Sequence, residues 1–187
     1  ENLNNIMLDV LKEIGNIGSG NAATALASML SKRVDMNVPQ VKILEFKEVA
    51  GILGGEEELV VGIYFDLDDD IKGNIMFILD LESAINLTNM LLNRDKIGDQ
   101  LDDMAISALS EVGNILASSY VNSLSALTGF KITVSIPSLA IDMAGAILSV
   151  PAIQFGYISD QVLFIETVFE ENNKSVKGNL FLLPDMN

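Results

Sequence analysis

The sequence contains no cysteine and no histidine. Without cysteine there are no disulfides, no thiol nucleophile and no thiolate metal site. Without histidine, the commonest general base and the commonest zinc ligand are both missing. Cations are scarce as well: 11 Lys and Arg stand against 26 Asp and Glu, a formal net charge of −15 at pH 7. No Lys/Arg run interrupts the acidic background, so most of the surface repels nucleic acid and anionic lipid. Long apolar runs are also lacking. Each is broken by Pro, Gly, Asp or Glu well short of the roughly 20 residues a membrane span needs. Met143 to Ile153, for example, contains Gly145 and Pro151. No basic segment followed by an apolar one opens the chain, so no signal peptide is read there, and a cytoplasmic location is expected. Any chemistry must run on carboxylates, amides, hydroxyls, Lys or Arg.

What is present is a domain-sized apolar complement. Of 187 residues, 49% are hydrophobic, and the mean hydropathy of +0.37 excludes general disorder. An internal repeat runs without gaps at an offset of 98 residues. Asp9, Glu13, Asn16 and Pro39 correspond to Ser107, Glu111, Asn114 and Pro137, with 22 residues between each Asn and its Pro. Leu11/Leu109, Gly15/Gly113, Ile17/Ile115 and Leu26/Leu124 match in the same register. A weaker echo relates Lys72–Asp80 to Lys177–Asp185 at an offset of 105. The chain therefore reads as a single domain over 1–187, built from pseudo-repeats 1–98 and 99–187. The expected fold is α+β, with two long helices on a shared, mostly antiparallel sheet and pseudo-two-fold symmetry.

Periodicity predicts the long helices over 3–33 and 100–128 and a short helix over Leu81–Leu92. Strands are expected at Val38–Phe46, Leu59–Phe65, Lys72–Leu79, Phe130–Ile136, about 150–158, 161–169 and 176–183. The segment Ser138–Ser149 shows no clear period.

On an ideal helix Asp9, Glu13, Asn16 and Gly20 fall within an arc of roughly 60°. Met7, Val10, Leu11, Ile14, Ile17, Ala25 and Met29 spread over the opposite side, which predicts an apolar stripe against the sheet and an outward Glu/Asn pair. Ser107, Glu111, Asn114 and Ser118 repeat the picture. A Glu and an Asn three apart on a solvated face are ordinary, but both recur, with a Gly between them. Gly costs about 1 kcal/mol relative to Ala inside a helix, so its repetition needs a cause, such as close helix–strand approach, shared ancestry or function. Asn does not titrate, but its amide can orient a water through both its carbonyl and its NH₂. That role suits phosphoryl transfer, where positioning outweighs covalent work. It also requires a substrate that brings its own metal and a labile phosphoryl group, such as a phosphorylated aspartate on another protein. Glu could then anchor a partner Lys.

The segments Glu13–Leu26 and Glu111–Leu116 resemble the signatures of the CheC/CheX/FliY family of chemotaxis phosphatases. The family pattern is Asp or Ser, three residues, Glu, two residues, Asn, 22 residues, Pro, and both copies here match it. Pro137–Pro151 is also CheC-like. The resemblance implies dephosphorylation of phosphorylated CheY at two sites, Glu13 with Asn16 and Glu111 with Asn114. It further implies CheD as a binding partner that raises activity, with Asp142 in the apolar, glycine-containing stretch Leu139–Ala152 as a candidate contact. No metal of the protein's own is expected, Mg²⁺ being supplied at the CheY phosphorylation site. Two intact motifs point away from CheX, and no FliN-like segment follows residue 187, although an excised FliY core remains open. The alternative is a non-enzymatic CheD-binding adaptor or a flagellar switch component.

Two other patterns are weaker. Gly18-Ser-Gly-Asn-Ala-Ala23 formally satisfies the dinucleotide fingerprint, but a helical pattern precedes it where a strand is required. Asp66–Asp70 suggests a calcium loop, yet Ile71 and Phe77 stand where an EF-hand needs Gly and Glu. Packing accounts for the eight methionines better than a binding groove does.

Overall fold

The computed structural model describes residues 2–94, 101–155 and 161–184. In chain order the elements are α1 (Asn2–Leu30), β1 (Asp35–Glu45), a 3₁₀ turn (Phe46–Glu48), α2 (Val49–Ile52), β2 (Leu59–Asp69), β3 (Gly73–Asp80) and α3 (Leu81–Leu92). Then follow α4 (Asp103–Thr128), β4 (Ile132–Val134), β5 (Ser138–Met143), α5 (Ala144–Phe155), β6 (Gln161–Glu171) and β7 (Lys174–Pro184). Local chemistry sets the boundaries. The Asp80 and Asp102 carboxylates accept from Ser83 N and Ala105 N, capping α3 and α4. Asn93 and Gly129 close those helices in the left-handed conformation. Asn172 and Asn173, both at positive φ, make the two-residue turn between β6 and β7.

All seven strands join one sheet in the order β1-β6-β7-β3-β2-β4, with β5 continuing the β4 edge along β2, and every pairing is antiparallel. Exchanging the two halves maps this order onto itself. β3 and β7, the strands of the Lys72 and Lys177 echo, pair at the centre; Asp185 of that echo lies outside the described residues. Each half's first strand then docks on the other half's hairpin: β1 on β6, and β4 and β5 on β2.

Both faces of the sheet are covered. On one, α1, α3 and α4 bury a core that includes Leu26, Phe65, Phe77, Leu116, Phe169 and Leu180. On the other, α2 and α5 cover Val60, Met76, Ile78, Phe164 and Phe181. Residues 73–79 of β3 are buried without alternation, as a central strand covered on both sides requires.

The structure moves some of the expected boundaries. The strand expected at about 150–158 is absent: residues 150–155 belong to α5, and 156–158 lie outside the described residues. Among the α5 residues whose burial is described, Ala144, Ile147, Leu148 and Pro151 are buried, spaced i, i+3, i+4, i+7. The signal was hidden because the opposite face carries the exposed Val150 and Ile153. The α1 stripe is also rotated. Ile14, Gly18, Ala22 and Leu26 are buried, whereas Val10, Ile17, Ala25 and Met29 are exposed; the side chain of Met7 is not among those described. Small residues carry this face because α1 lies against α4. A Cβ on Gly18 would fall 2.5 Å from Tyr120 Cδ1. Gly18 therefore admits a ring rather than a nucleotide. The methionines divide: Met36, Met76 and Met90 are buried, and Met29, Met104 and Met143 are exposed.

Asp66 and Asp70 serve the edge of the sheet. Asp66 Oδ1 accepts from the buried Asn74 amide at 2.8 Å, and Asp70 Oδ2 accepts from Lys131 N at 2.7 Å. Lys32 ties three elements together. Its ammonium donates to the Met90 carbonyl and to Asn93 Oδ1 at the end of α3, and pairs with Glu171 at 2.9 Å.

Burial pushes the Tyr120 phenol up to about 12, only partly offset by the facing Thr167 hydroxyl. Well below pH 10 the phenol is neutral whether the chain is folded or unfolded, so its ionisation adds nothing to the pH dependence of stability. Between pH 10 and about 12 the unfolded chain releases this proton first, so stability falls. Urea titrations across that window should show the fall, and Tyr120→Phe should make it shallower.

Candidate functional site

Glu13 and Asn16 lie on the exposed face of α1, and Glu111 and Asn114 at the matching positions of α4, with Glu111 exposed and Asn114 half-buried. Asp9 and Ser107 are exposed one turn before each Glu. The described ion pairs involve neither Glu13 nor Glu111, which leaves both carboxylates open to an incoming cation.

Each motif helix runs beside its own half's edge strand, and the structure supplies the reason for the Pro. Opposite Thr167, β1 places two residues, Val38 and Pro39, between the Asn37–Val168 and Gln40–Glu166 pairs. Opposite Phe65 and Asp66 the other edge places three, Ser135 to Pro137, between Val134–Leu67 and Ser138–Tyr64. Both edges thus carry a one-residue bulge that contains the motif Pro. A bulge on an edge strand is where a residue without an N–H is tolerated. The fixed 22-residue spacing is therefore the chain length from the Asn, along the rest of its helix, to the bulge lying alongside it.

In the second copy these parts enclose a cleft of about 450 Å³. Ser107, Ser110, Glu111 and Asn114 form the α4 wall, and Ser135, Ile136 and Pro137 form the other. Ser110, Ser135 and Ile136 were not singled out from the sequence. They belong neither to the repeated quartet nor to a periodic face, and only the bulge brings them in. Ser135 Oγ accepts from Asp66 N at 2.8 Å and donates to the Ile136 carbonyl at 3.0 Å, while Ser135 N donates to Asp66 O at 2.9 Å.

The repeated glycines differ. A Cβ on Gly113 would meet Ile63 Cγ2 at 2.9 Å, whereas one on Gly15 would find Val38 Cγ1 at an ordinary 3.5 Å. Close approach explains Gly113 but not Gly15.

Asp142 does not line the cleft; it is exposed on β5 opposite Val60, with Oδ1 accepting from Met143 N at 2.7 Å. Of the Leu139–Ala152 stretch, Ala140–Met143 are exposed, whereas Ala144, Ile147, Leu148 and Pro151 are buried. No group of three or more acidic side chains able to hold a metal occurs among the described residues. No described helix is long and apolar enough to cross a membrane.

The CheC-like family model matches residues 6–43 and 104–141, the two segments that carry the motifs. A Bacillus subtilis protein, CheY-P phosphatase CheC, is 33% identical over 95% of this chain and 88% of its own length. This chain belongs to the CheC-like family. The flagellar motor switch phosphatase FliY of Bacillus subtilis is 26% identical over 73% of this chain but only 36% of its own length. The crystal structure of Thermotoga maritima FliY superposes with a TM-score of 0.74 at 25% identity, covering 94% of this chain and 89% of that one. The family fold thus matches the α+β duplication expected from the repeat.

Replacing Gly113 by Ala should cost about 1–3 kcal/mol by forcing Ile63 aside. Gly15→Ala should be neutral or stabilising by up to about 1 kcal/mol. Urea unfolding of the two variants checks the difference.

Proposed function

We propose that this chain hydrolyses the aspartyl phosphate of a CheY-type response regulator. The observation that carries the reading is the duplicated pair: an open carboxylate and an amide one turn apart, on two helices, with no other reactive group repeated beside them. The Bacillus subtilis relative named a CheY-P phosphatase supports the same reading, and the FliY relative is named a phosphatase as well.

In this mechanism Glu13 or Glu111 pairs with a partner lysine and seats the phosphorylated aspartate against the helix. The Asn16 or Asn114 carbonyl accepts a hydrogen bond from a water while its NH₂ fixes the amide, so that the water oxygen lies in line with phosphorus and its protons leave with the phosphate. That oxygen attacks phosphorus, the bond from phosphorus to the aspartyl oxygen breaks, and carboxylate and inorganic phosphate leave. Mg²⁺ held by the partner neutralises the phosphoryl oxygens, and this chain contributes no metal ligand. The work takes place in the cytoplasm, where the partner resides. The same proposal includes CheD as a modulator, with Asp142 at its contact surface.

A second reading is a non-enzymatic CheD-binding adaptor or a flagellar switch component; the FliY relative favours a place in the switch, although it is itself named a phosphatase.

The decay rate of phosphorylated CheY separates the two. Asn16→Ala and Asn114→Ala should each keep some activity and bind with little change, since the lost contact matters chiefly in the transition state. The double variant should lose about 100-fold. Undiminished decay with the double variant would exclude the Asn-positioned water. Glu111→Ala should instead weaken association, and more strongly at low salt. Chelation should stop turnover until Mg²⁺ is returned, while the isolated protein carries no stoichiometric metal through gel filtration. Asp142→Lys should weaken CheD binding in a folded protein.

A further inference from the structure

The bulge shared by the two edge strands does not end in the same way. In β1, Val38 points inward and is only 6% exposed, and Pro39 points out. At the matching positions of the other edge, Ile136 is 85% exposed and Pro137 is half-buried. One step of the in–out alternation has been reversed. The reversal is held by hydrogen bonds. Ser135 bonds the Asp66 backbone through both its N–H and its hydroxyl oxygen, and the same hydroxyl donates to the Ile136 carbonyl. Asn37, its counterpart, is exposed. Ile136 is the most exposed large apolar side chain described, and it stands on the wall of the cleft that faces Glu111 and Asn114.

The first site differs in charge as well as shape. Asp9 and Lys12 occupy the positions of Ser107 and Ser110, and its exposed apolar neighbours, Val10 and Ile17, lie on the helix rather than on the strand. At the second site the cleft combines one open carboxylate, three hydroxyls and one projecting aliphatic side chain, with no cation in its lining. Such a surface suits a partner that brings a cation for Glu111 and an apolar contact a few ångströms to one side.

We infer that Ile136 is a docking residue of the second site, seating the phosphorylated receiver domain against Glu111 and Asn114, and that the first site lacks this contact. The inference rests on the phosphatase reading. Ile136 touches no reacting atom, so its effect belongs in KM rather than kcat.

The test uses single-site backgrounds. In Asn16→Ala, where only the second pair acts, Ile136→Ser should raise KM about tenfold and hold kcat within about twofold. Ile136→Met should restore most of the affinity, because an aliphatic surface of similar size returns. In Asn114→Ala the same Ile136→Ser change should leave KM where it was. An unmoved KM in the first background, or an equal rise in both, overturns the inference. Titration of the receiver domain loaded with beryllofluoride and Mg²⁺ reads docking without turnover. If no form of the protein accelerates phosphate release, yet Ile136→Ser still weakens this binding, the hydrolytic reading fails and the docking role stands. If the parent protein does not bind the loaded receiver, the docking role fails as well.

Discussion

Everything in this molecule depends on the exchange of edge strands between its two halves. A hairpin with one apolar face is marginal alone in water, and three or more strands are needed before a sheet supports itself. Here β2–β3 and β6–β7 meet back to back through β3 and β7, and each receives its outer strand from the opposite half. The arrangement gives one sheet with two covered faces, where two separate repeats would each have left an apolar face open. It also fixes where the motif helices lie. α1 leads into β1 as α4 leads into β4, so each helix is carried to the edge strand of its own half and to the hairpin of the other. The Gly18–Tyr120 contact then holds the helices together at close range.

From this constraint comes the economy of the candidate site. A helix can present a Glu and an Asn one turn apart without help from the rest of the fold, but a helix face alone is convex. The bulged edge strand beside α4 turns that face into one side of a cleft, and the motif Pro is part of the bulge rather than of the chemistry. The repeated quartet therefore combines two kinds of residue, three on the outer face of the helix and one that shapes the wall beside them.

Much of this was legible in the sequence. The gapless offset of 98 announced the duplication, and the arc shared by Glu13 and Asn16 placed them outward. The chain did not announce its small-residue faces. Gly18 and Ala22 carry little hydropathy, so a reading by apolar side chains set the buried stripe of α1 on Val10, Ile17 and Met29, which the structure exposes. α5 failed for the opposite reason: its outer face is as apolar as its inner one, and periodicity vanishes when both faces score alike. The orientation of Ile136 was also out of reach. It depends on how Ser135 bonds to Asp66, a residue 69 positions away along the chain.

The exchanged strands carry a consequence for how such a chain is made. During synthesis β1 emerges long before β6 exists to pair with it; Asp35 must wait for Glu170. Until then the first half can assemble little beyond the β2–β3 hairpin and isolated helix. Contacts so distant in sequence close slowly, and the apolar strands stay exposed to misassociation in the interval. The edge strand beside α1 gains its partner only with the last hairpin, whereas β4 and β5 beside α4 can pair with β2 as they emerge. The second candidate site can therefore take shape before the first, and because each borrows the other half's hairpin, a chain cut between the repeats would yield no half-molecule with one working face.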